Sequence, residues 1–233
     1  LEPKPISAPL SVGARQKGFN GARLQWTAPA SNLFTKSYVP AGESSADGFG
    51  VSNTVSAFEV AVKFDADEMA CYSGSTIREV AFYPLEEQGG FSINIYTRNA
   101  DGTLELIKSQ PVTQTLKLRE RNVVTLDEPV SVPEGKLIVA VQTNVVASSN
   151  SIIGTLYGKY QAGYSDLLRQ VGEDDFYSLY DMSFLSGYPY FVSWMIDVIV
   201  APQGAADNID EIDHYAVYAD GEEKGSTQET LFD

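Results

Sequence analysis

Cysteine and histidine are nearly absent from this sequence, and their scarcity excludes several classes of protein. Cys71 is the sole cysteine, so no internal disulfide can form, and a small disulfide-stapled secreted domain is excluded. His214 is the sole histidine, so a histidine-rich zinc site is excluded, and a Ser-His-Asp triad would have to use His214 itself. We expect His214 to be an ordinary strand residue and Cys71 to be a small buried apolar one.

Positive charge and long apolar runs are also missing. The chain has 16 Lys and Arg residues against 31 Asp and Glu, which gives a net charge of −15. Such an acidic surface repels phosphate backbones and anionic membranes, so nucleic acid is not an expected partner. No run of apolar residues is long enough to span a bilayer, so we predict no membrane insertion. The Pro-rich start, LEPKPISAPL, indicates a chain whose export signal has been removed.

The dominant positive signal is the alternation of apolar and polar residues that is typical of β-strands. Residues 56–64 alternate in this way, and residues 90–109 predict a hairpin that turns at Asp101-Gly102. Further strands are predicted at 76–84, 122–132, 136–144 and 190–202. The one predicted helix is 65–72, capped by Asp65. The sequence therefore predicts an all-β protein built as an antiparallel sandwich. Its predicted core consists of Phe58, Val60, Val62, Phe64, Val139, Val141, Phe191, Trp194 and Ile196.

Strand patterns near the two ends of the chain predict a nested organisation. Residues 1–33 and 205–233 are predicted to form one split, truncated module, with 34–204 inserted as a second domain. The segments 34–53 and 201–211 are rich in Gly, Ser, Pro, Ala and Asp, so we interpret them as exposed junctions. Because an inserted domain returns the chain near its exit point, Trp26 and Val217 should share one core.

Two sets of motifs resemble known families. In the central block, AVKFDADEMACYSGSTIREVAFYP, FSINIYT, NVVTLDEPVSV, KLIVAVQTN, YSDLLRQVGEDDFYSLYDM and FVSWMIDVIVA resemble the jelly-roll adhesin modules of Bacteroidetes surface proteins, including gingipain cleaved-adhesin domains. The flanking LQWTAP and HYAVYADGEEKGSTQETLFD are similar to fibronectin type III strands. The resemblance implies a jelly-roll sandwich flanked by a partial fibronectin type III-like sandwich. It also implies adhesion or carbohydrate binding on the outer surface of a bacterium.

Tyrosines crowd the last third of the predicted sandwich, where they are candidates for ligand binding. A tyrosine ring can stack on a sugar face while its hydroxyl forms hydrogen bonds. The spacing of Tyr157, Tyr160 and Tyr164 in a Gly-broken stretch favours a loop, where recognition residues usually lie. Tyr177 and Tyr180 are the other two candidates. The alternative is that these rings fill the core.

Clustered acids offer oxygen ligands that suit calcium. The predicted ligands are Asp174, Asp175 and Asp181, near Glu173, and a second group is Asp65, Asp67 and Glu68. Neither group has the spacing of a known calcium motif, and Asp65 already serves as a helix cap. A structural calcium ion is thus the only cofactor that the sequence suggests.

The sequence favours a non-catalytic adhesion or glycan/protein-binding module within a longer exported chain that carries other domains. A purely structural spacer is the first alternative. A hydrolase is the second, because 31 acidic residues leave many carboxylate pairs that could cleave a glycosidic bond. No motif selects such a pair, so no catalytic residue is predicted.

Overall fold

The computed structural model describes residues 10–17, 21–27, 33–40, 42–44, 48–49, 57–86, 90–143, 152–158, 160–185, 187, 189–201, 215–219, 222–227 and 231–232. The strands are β1 (Leu10–Lys17), β2 (Gly21–Thr27), β3 (Phe34–Ser37), β4 (Gly48–Phe49), β5 (Phe58–Phe64), β6 (Thr76–Phe82), β7 (Phe91–Arg98), β8 (Leu104–Pro111), β9 (Asn122–Ser131), β10 (Lys136–Thr143), β11 (Ile153–Tyr157), β12 (Leu167–Gln170), β13 (Tyr177–Ser178), β14 (Val192–Trp194), β15 (Ile196–Ala201), β16 (Tyr215–Ala219), β17 (Glu222–Thr227) and β18 (Leu231–Phe232). The helices are α1 (Ala66–Met69), which continues as a 3-10 turn (Ala70–Tyr72), and α2 (Leu179–Leu185).

The backbone divides into two units. The terminal unit combines residues 1–34 with 201–233, and the central unit spans 35–200. In the terminal unit, β18 pairs antiparallel with β2, which also pairs with β1, so both ends of the chain contribute strands to one sheet. Strands β16 and β17 form a separate antiparallel hairpin. The fibronectin type III-like character of this unit, and a core shared by Trp26 and Val217, stay predictions.

The central unit is an antiparallel β-sandwich. One sheet has six strands in the order β13-β12-β5-β10-β7-β8, and a second has four in the order β3-β15-β6-β9. A third, short sheet has three strands in the order β14-β11-β4. The chain crosses repeatedly between the two large sheets, for example from β5 to β6 and from β9 to β10, as in jelly-roll folds. The predicted all-β sandwich is confirmed.

The core of the sandwich follows from the alternation in its strands. Apolar residues of β5, β7 and β10 contact those of β6, β9 and β15, since each strand turns every second side chain inward. Eight of the nine predicted core residues are buried in this cluster, and Trp194 is fully buried. The Trp194 indole N–H also donates a hydrogen bond to the Leu167 carbonyl at 2.7 Å, which satisfies its polar atom.

Phe191 is the exception among the predicted core residues. The predicted strand 190–202 begins only at Val192 and is interrupted at Met195, so it forms β14 and β15 instead of one long strand. Phe191 lies before β14 and is only partly buried. The prediction that it belongs to the core was wrong, because the strand alternation does not extend to it.

The predicted helix begins where expected but is shorter. The Asp65 backbone N–H donates to the Glu68 carboxylate at 3.1 Å, which forms part of a capping box. The helix ends at Met69, its buried residue, and the 3-10 turn that follows runs along the surface. Cys71 lies in this turn and is exposed, so the prediction of a buried cysteine was wrong.

The first predicted junction contains strands. Within 34–53, β3 pairs with β15 and β4 pairs with β11, and Val39 is buried. The Gly- and Ser-rich composition predicted an exposed connection. The structure instead shows that this segment adds short strands to the sandwich. The second predicted junction beyond Ala201, like His214, lies outside the described residues.

Candidate functional site

Helix α2, which the sequence analysis missed, presents two aromatic side chains on one face. Tyr180 and Phe184 are four residues apart and therefore lie one turn apart on the same side of the helix. Leu179 and Ser183 are the buried residues of the helix and lie on the side that faces the sandwich. Ser178 caps the first turn, because its Oγ accepts a hydrogen bond from the Asp181 backbone N–H at 3.2 Å.

Asp166 joins this helix to the preceding loop. It is fully buried, and its Oδ2 accepts hydrogen bonds from the Ser178 hydroxyl at 2.7 Å and the Tyr180 backbone N–H at 3.0 Å. Its Oδ1 accepts another from the Gly163 N–H at 2.7 Å. Gly163 has a φ of 73°, a left-handed conformation that favours glycine at this turn. One buried carboxylate thus fixes both the loop 160–166 and the start of α2.

A neighbouring pair of serines joins the same loop to β14. The Ser193 hydroxyl donates to Ser165 Oγ at 2.8 Å, and both side chains are fully buried. The Trp194 backbone N–H donates to the Ser165 carbonyl at 2.8 Å. Buried polar groups need such partners, and a satisfied set of them rigidifies its surroundings. The loop, the helix and β14 are therefore held in one arrangement.

The rings supported by this scaffold form a continuous cluster, which we call the aromatic patch: Tyr157, Tyr160, Tyr180, Phe184 and Phe191. Phe191 lies at its centre, with ring centroids 5.2 Å from Tyr160, 5.4 Å from Tyr180 and 6.4 Å from Tyr157. Tyr180 also contacts Tyr160 at 5.2 Å and Phe184 at 5.9 Å. These spacings are typical of favourable ring pairs.

The patch is open to solvent on part of its surface. Tyr157 is 66% exposed, Phe184 60% and Tyr160 37%. Partial burial and the neighbouring Tyr180 raise the pKa of Tyr160 above its usual value. The patch therefore offers apolar ring faces together with hydroxyl groups.

The structure separates the five predicted tyrosines. Tyr157, Tyr160 and Tyr180 lie together in the aromatic patch. Tyr177 of β13 is exposed and lines a separate groove of about 400 Å³ together with Met182 and Leu168. A ligand-binding role for these four residues stays a prediction.

Tyr164 makes contacts of a different kind. Its hydroxyl donates a hydrogen bond to Asp65 Oδ2 at 2.8 Å, and Lys63 Nζ lies 4.2 Å from the centre of its ring. The hydrogen bond to the Asp65 carboxylate raises the pKa of Tyr164. These contacts hold Tyr164 against the start of α1 and against β5. Its predicted ligand-binding role, like that of the other four tyrosines, stays a prediction.

The predicted calcium ligands do not converge. Asp175 forms an ion pair with Arg98 and accepts a hydrogen bond from the Phe176 N–H, while Asp174 and Asp181 are exposed. In the second group, Asp65 pairs with Lys136 and Glu68 with Lys36. Across the described ranges, no three His, Cys, Asp or Glu side chains are grouped to hold a metal ion. Calcium binding stays a prediction.

A further buried polar cluster, centred on Arg169 of β12, was also not predicted from the sequence. Arg169 forms a hydrogen bond from Nε to Glu59 Oε2 at 2.7 Å and stacks between Phe176 at 4.4 Å and Tyr96 at 4.9 Å. Glu59 is only 1% exposed although it lies on the polar face of its strand. Burial and the Glu59 carboxylate raise the pKa of Tyr96. No local pattern signals this cluster, because its members come from three distant segments.

Comparison with known proteins assigns no family to this chain. No protein-family model and no curated protein matches it. One similar solved structure is the clostridial cysteine protease Cwp84 after propeptide cleavage, at 17% identity and a TM-score of 0.43, covering 76% of this chain and 42% of that one. Another contains the cysteine protease and lectin-like domains of Cwp84, a surface layer associated protein of Clostridium difficile. It is 16% identical, has a TM-score of 0.39, and covers 63% of this chain and 32% of that one.

The chain thus spans less than half the length of these two neighbours. No helix in the described part of the chain is long and apolar enough to cross a membrane.

Proposed function

We propose that this protein is a non-catalytic glycan-binding module and that the aromatic patch holds its ligand. The observation that carries the proposal is the continuous contact of five rings, three of them more than one third exposed, on a scaffold of buried hydrogen bonds. Large exposed aromatic surface of this kind marks an interaction site in a soluble protein.

The chemistry of the patch suits a sugar chain. Pyranose rings carry an apolar face of C–H groups, which stacks on an aromatic ring, and hydroxyls that can pair with tyrosine hydroxyls. Three of the five rings are tyrosines, each with an apolar body and a polar tip. The buried contacts of Asp166 and Ser165 keep the rings in place before the ligand arrives, which lowers the entropic cost of binding.

The wider setting of the proposal is an exported bacterial surface protein in which this chain is one module among others. Its support is the resemblance of the central block to adhesin modules, and a single cysteine does not argue against such a setting, because a bacterial surface protein can rely on the size of its core instead of disulfides. In this setting the module attaches its parent protein to a glycan, and catalysis belongs to other domains.

A glycan array followed by calorimetry tests the proposal. Tyr160→Ala should weaken binding of an array-selected oligosaccharide about two- to twelvefold, because one stacked ring contributes about 0.5–1.5 kcal/mol. The melting temperature should fall by no more than a few degrees, because Tyr160 is 37% exposed and its loss removes only its ring contacts with Tyr180 and Phe191. Tyr218→Ala is the matched control, because Tyr218 is 61% exposed on β16 of the terminal unit and should not affect binding.

Other results would favour the alternatives. An array without any bound glycan, together with capture of a defined protein partner that Tyr160→Ala abolishes, would make the patch a protein-binding surface. No ligand of either kind would support a structural spacer. Release of reducing ends from a bound glycan would indicate a hydrolase.

A further inference from the structure

A second cavity lies in the central unit, away from the aromatic patch. Its volume is about 520 Å³, within the range of roughly 300–1,000 Å³ that is usual for small-molecule sites. Strand β3 and the turn after it form one wall, and β15 together with the residue before β9 forms the other. None of its lining residues belongs to the patch.

The floor of this cavity is apolar and buried. Val39, Tyr83 and Met195 line it, and the three residues belong to one buried cluster with Leu85. Each of the three is no more than 9% exposed. The floor therefore offers a small apolar surface, to which Tyr83 and Met195 contribute, to the apolar face of a small ligand.

Arg121 and Asp197 form an ion pair at the wall. Arg121 donates from Nε to Asp197 Oδ2, and the Asp197 side chain is only 17% exposed. Within the described part of the chain, the terminal nitrogens of Arg121 and Oδ1 of Asp197 have no other partner. A hydrogen-bond donor and an acceptor are thus adjacent, and Thr35 and Ser37 of β3 also line the cavity.

The charges of the lining disfavour an anionic ligand. Arg121 is the only cation among the described lining residues, and Asp197 already balances it. Glu43 adds a negative charge to the rim. A phosphate or a carboxylate would therefore meet no free positive charge, whereas a neutral ligand would meet no repulsion.

We propose that this cavity binds a single monosaccharide unit through two adjacent hydroxyl groups. One hydroxyl accepts a hydrogen bond from the Arg121 guanidinium, and its neighbour donates one to the Asp197 carboxylate. The C–H face of the sugar rests on Tyr83 and Met195. The site is separate from the aromatic patch, so it stands or falls independently of the function proposed above.

Titration of the intact protein with methyl α-D-mannopyranoside, methyl β-D-galactopyranoside, methyl β-D-glucopyranoside and N-acetylglucosamine, followed by NMR, tests the proposal. At least one of the four should bind with a Kd in the millimolar range. Asp197→Asn should weaken it about tenfold, because the charged acceptor becomes a neutral amide and the ion pair that orients Arg121 is lost. Thr35→Trp should abolish binding, since Thr35 is exposed on β3 and a large ring there fills the cavity mouth.

Two controls locate the binding. Thr125→Trp places the same ring at an exposed threonine of β9, outside the cavity, and should leave binding unchanged. Tyr160→Ala should also leave it unchanged, because Tyr160 belongs to the patch. If Asp197→Asn fails to fold, Thr35→Trp decides. The proposal is overturned if none of the four sugars binds, if Thr35→Trp binds normally, or if Tyr160→Ala removes the binding.

Discussion

At the scale of single residues, Asp65 links three parts of the central unit through one carboxylate. Its Oδ1 lies 2.9 Å from Lys136 Nζ on β10, and its Oδ2 accepts the hydrogen bond from Tyr164. The hydrogen bond from Lys136 is the main reason that the pKa of Asp65 is lowered, and the one from Tyr164 adds to it. The sequence analysis identified Asp65 as a helix cap, but not these partners, which come from distant positions.

The lowered pKa gives a prediction with a definite sign. The contribution of Asp65 to stability is present above its unfolded pKa of about 3.9 and is lost as the pH falls through the lower folded value. Lys136→Met should therefore reduce the free energy of unfolding at pH 7 by about 0.5 kcal/mol, a small value because both side chains are a third or more exposed. The deficit should shrink towards zero near pH 2, as measured by urea unfolding.

The matched control for this measurement is Lys117→Met. Lys117 is 78% exposed and lies 3.9 Å from Glu120, so its loss should have little effect at any pH. A deficit of Lys136→Met that is the same at pH 2 and pH 7 would show that the stem of Lys136, and not its charge, stabilises the fold.

At the scale of elements, strands were predictable and α2 was not. Strands such as β5 and β7 could be predicted from the alternation of apolar and polar residues. The predicted hairpin turn at Asp101-Gly102 is also present, with a φ of 89° at Gly102. Helix α2 has only seven residues, and its start depends on Asp166, which lies well before it in the chain. A helix stabilised by such a tertiary contact carries no local signal.

Asp166 should accordingly control the aromatic patch. Asp166→Asn places an amide NH₂ where the carboxylate accepts from N–H and O–H donors, so at least one buried donor loses its acceptor, at a cost of about 1–3 kcal/mol. We expect a weaker near-UV circular dichroism signal from the tyrosines and weaker glycan binding, while the strand content in the far-UV spectrum is retained.

Asp181→Asn is the matched control for that experiment. Asp181 lies on the same helix but is exposed, so its replacement should leave both the tyrosine signal and glycan binding unchanged. Equal effects of the two substitutions would mean that charge near α2, and not the buried hydrogen bonds of Asp166, determines the arrangement of the rings.

At the scale of the whole molecule, the class of fold was predictable while the pairing of its strands was not. The core residues of β5 and β10 follow from alternation, but their direct pairing, such as Val62 with Val139, joins segments far apart in the chain. The patch likewise assembles rings from β11, the loop before β12, α2 and the residue before β14. The crowding of tyrosines pointed to this region, yet the separation of Tyr164 from Tyr160 required the folded chain.

The last strand provides a test of how the terminal unit is built. Leu231 and Phe232 of β18 pair with Gln25 and Leu24 of β2, so removal of residues 228–233 turns β2 into an edge strand. The loss of a few backbone hydrogen bonds should cost about 1–3 kcal/mol. In a unit of this size, each kcal/mol lowers the melting temperature by about 4–8 °C. Differential scanning calorimetry should show one transition moving to lower temperature, while the transition of the central unit, which has its own core, stays in place.

A double substitution, Leu231→Thr with Phe232→Tyr, is the control, because it keeps the strand and should retain most of the stability. If truncation shifted both transitions equally, the chain would unfold as one cooperative body.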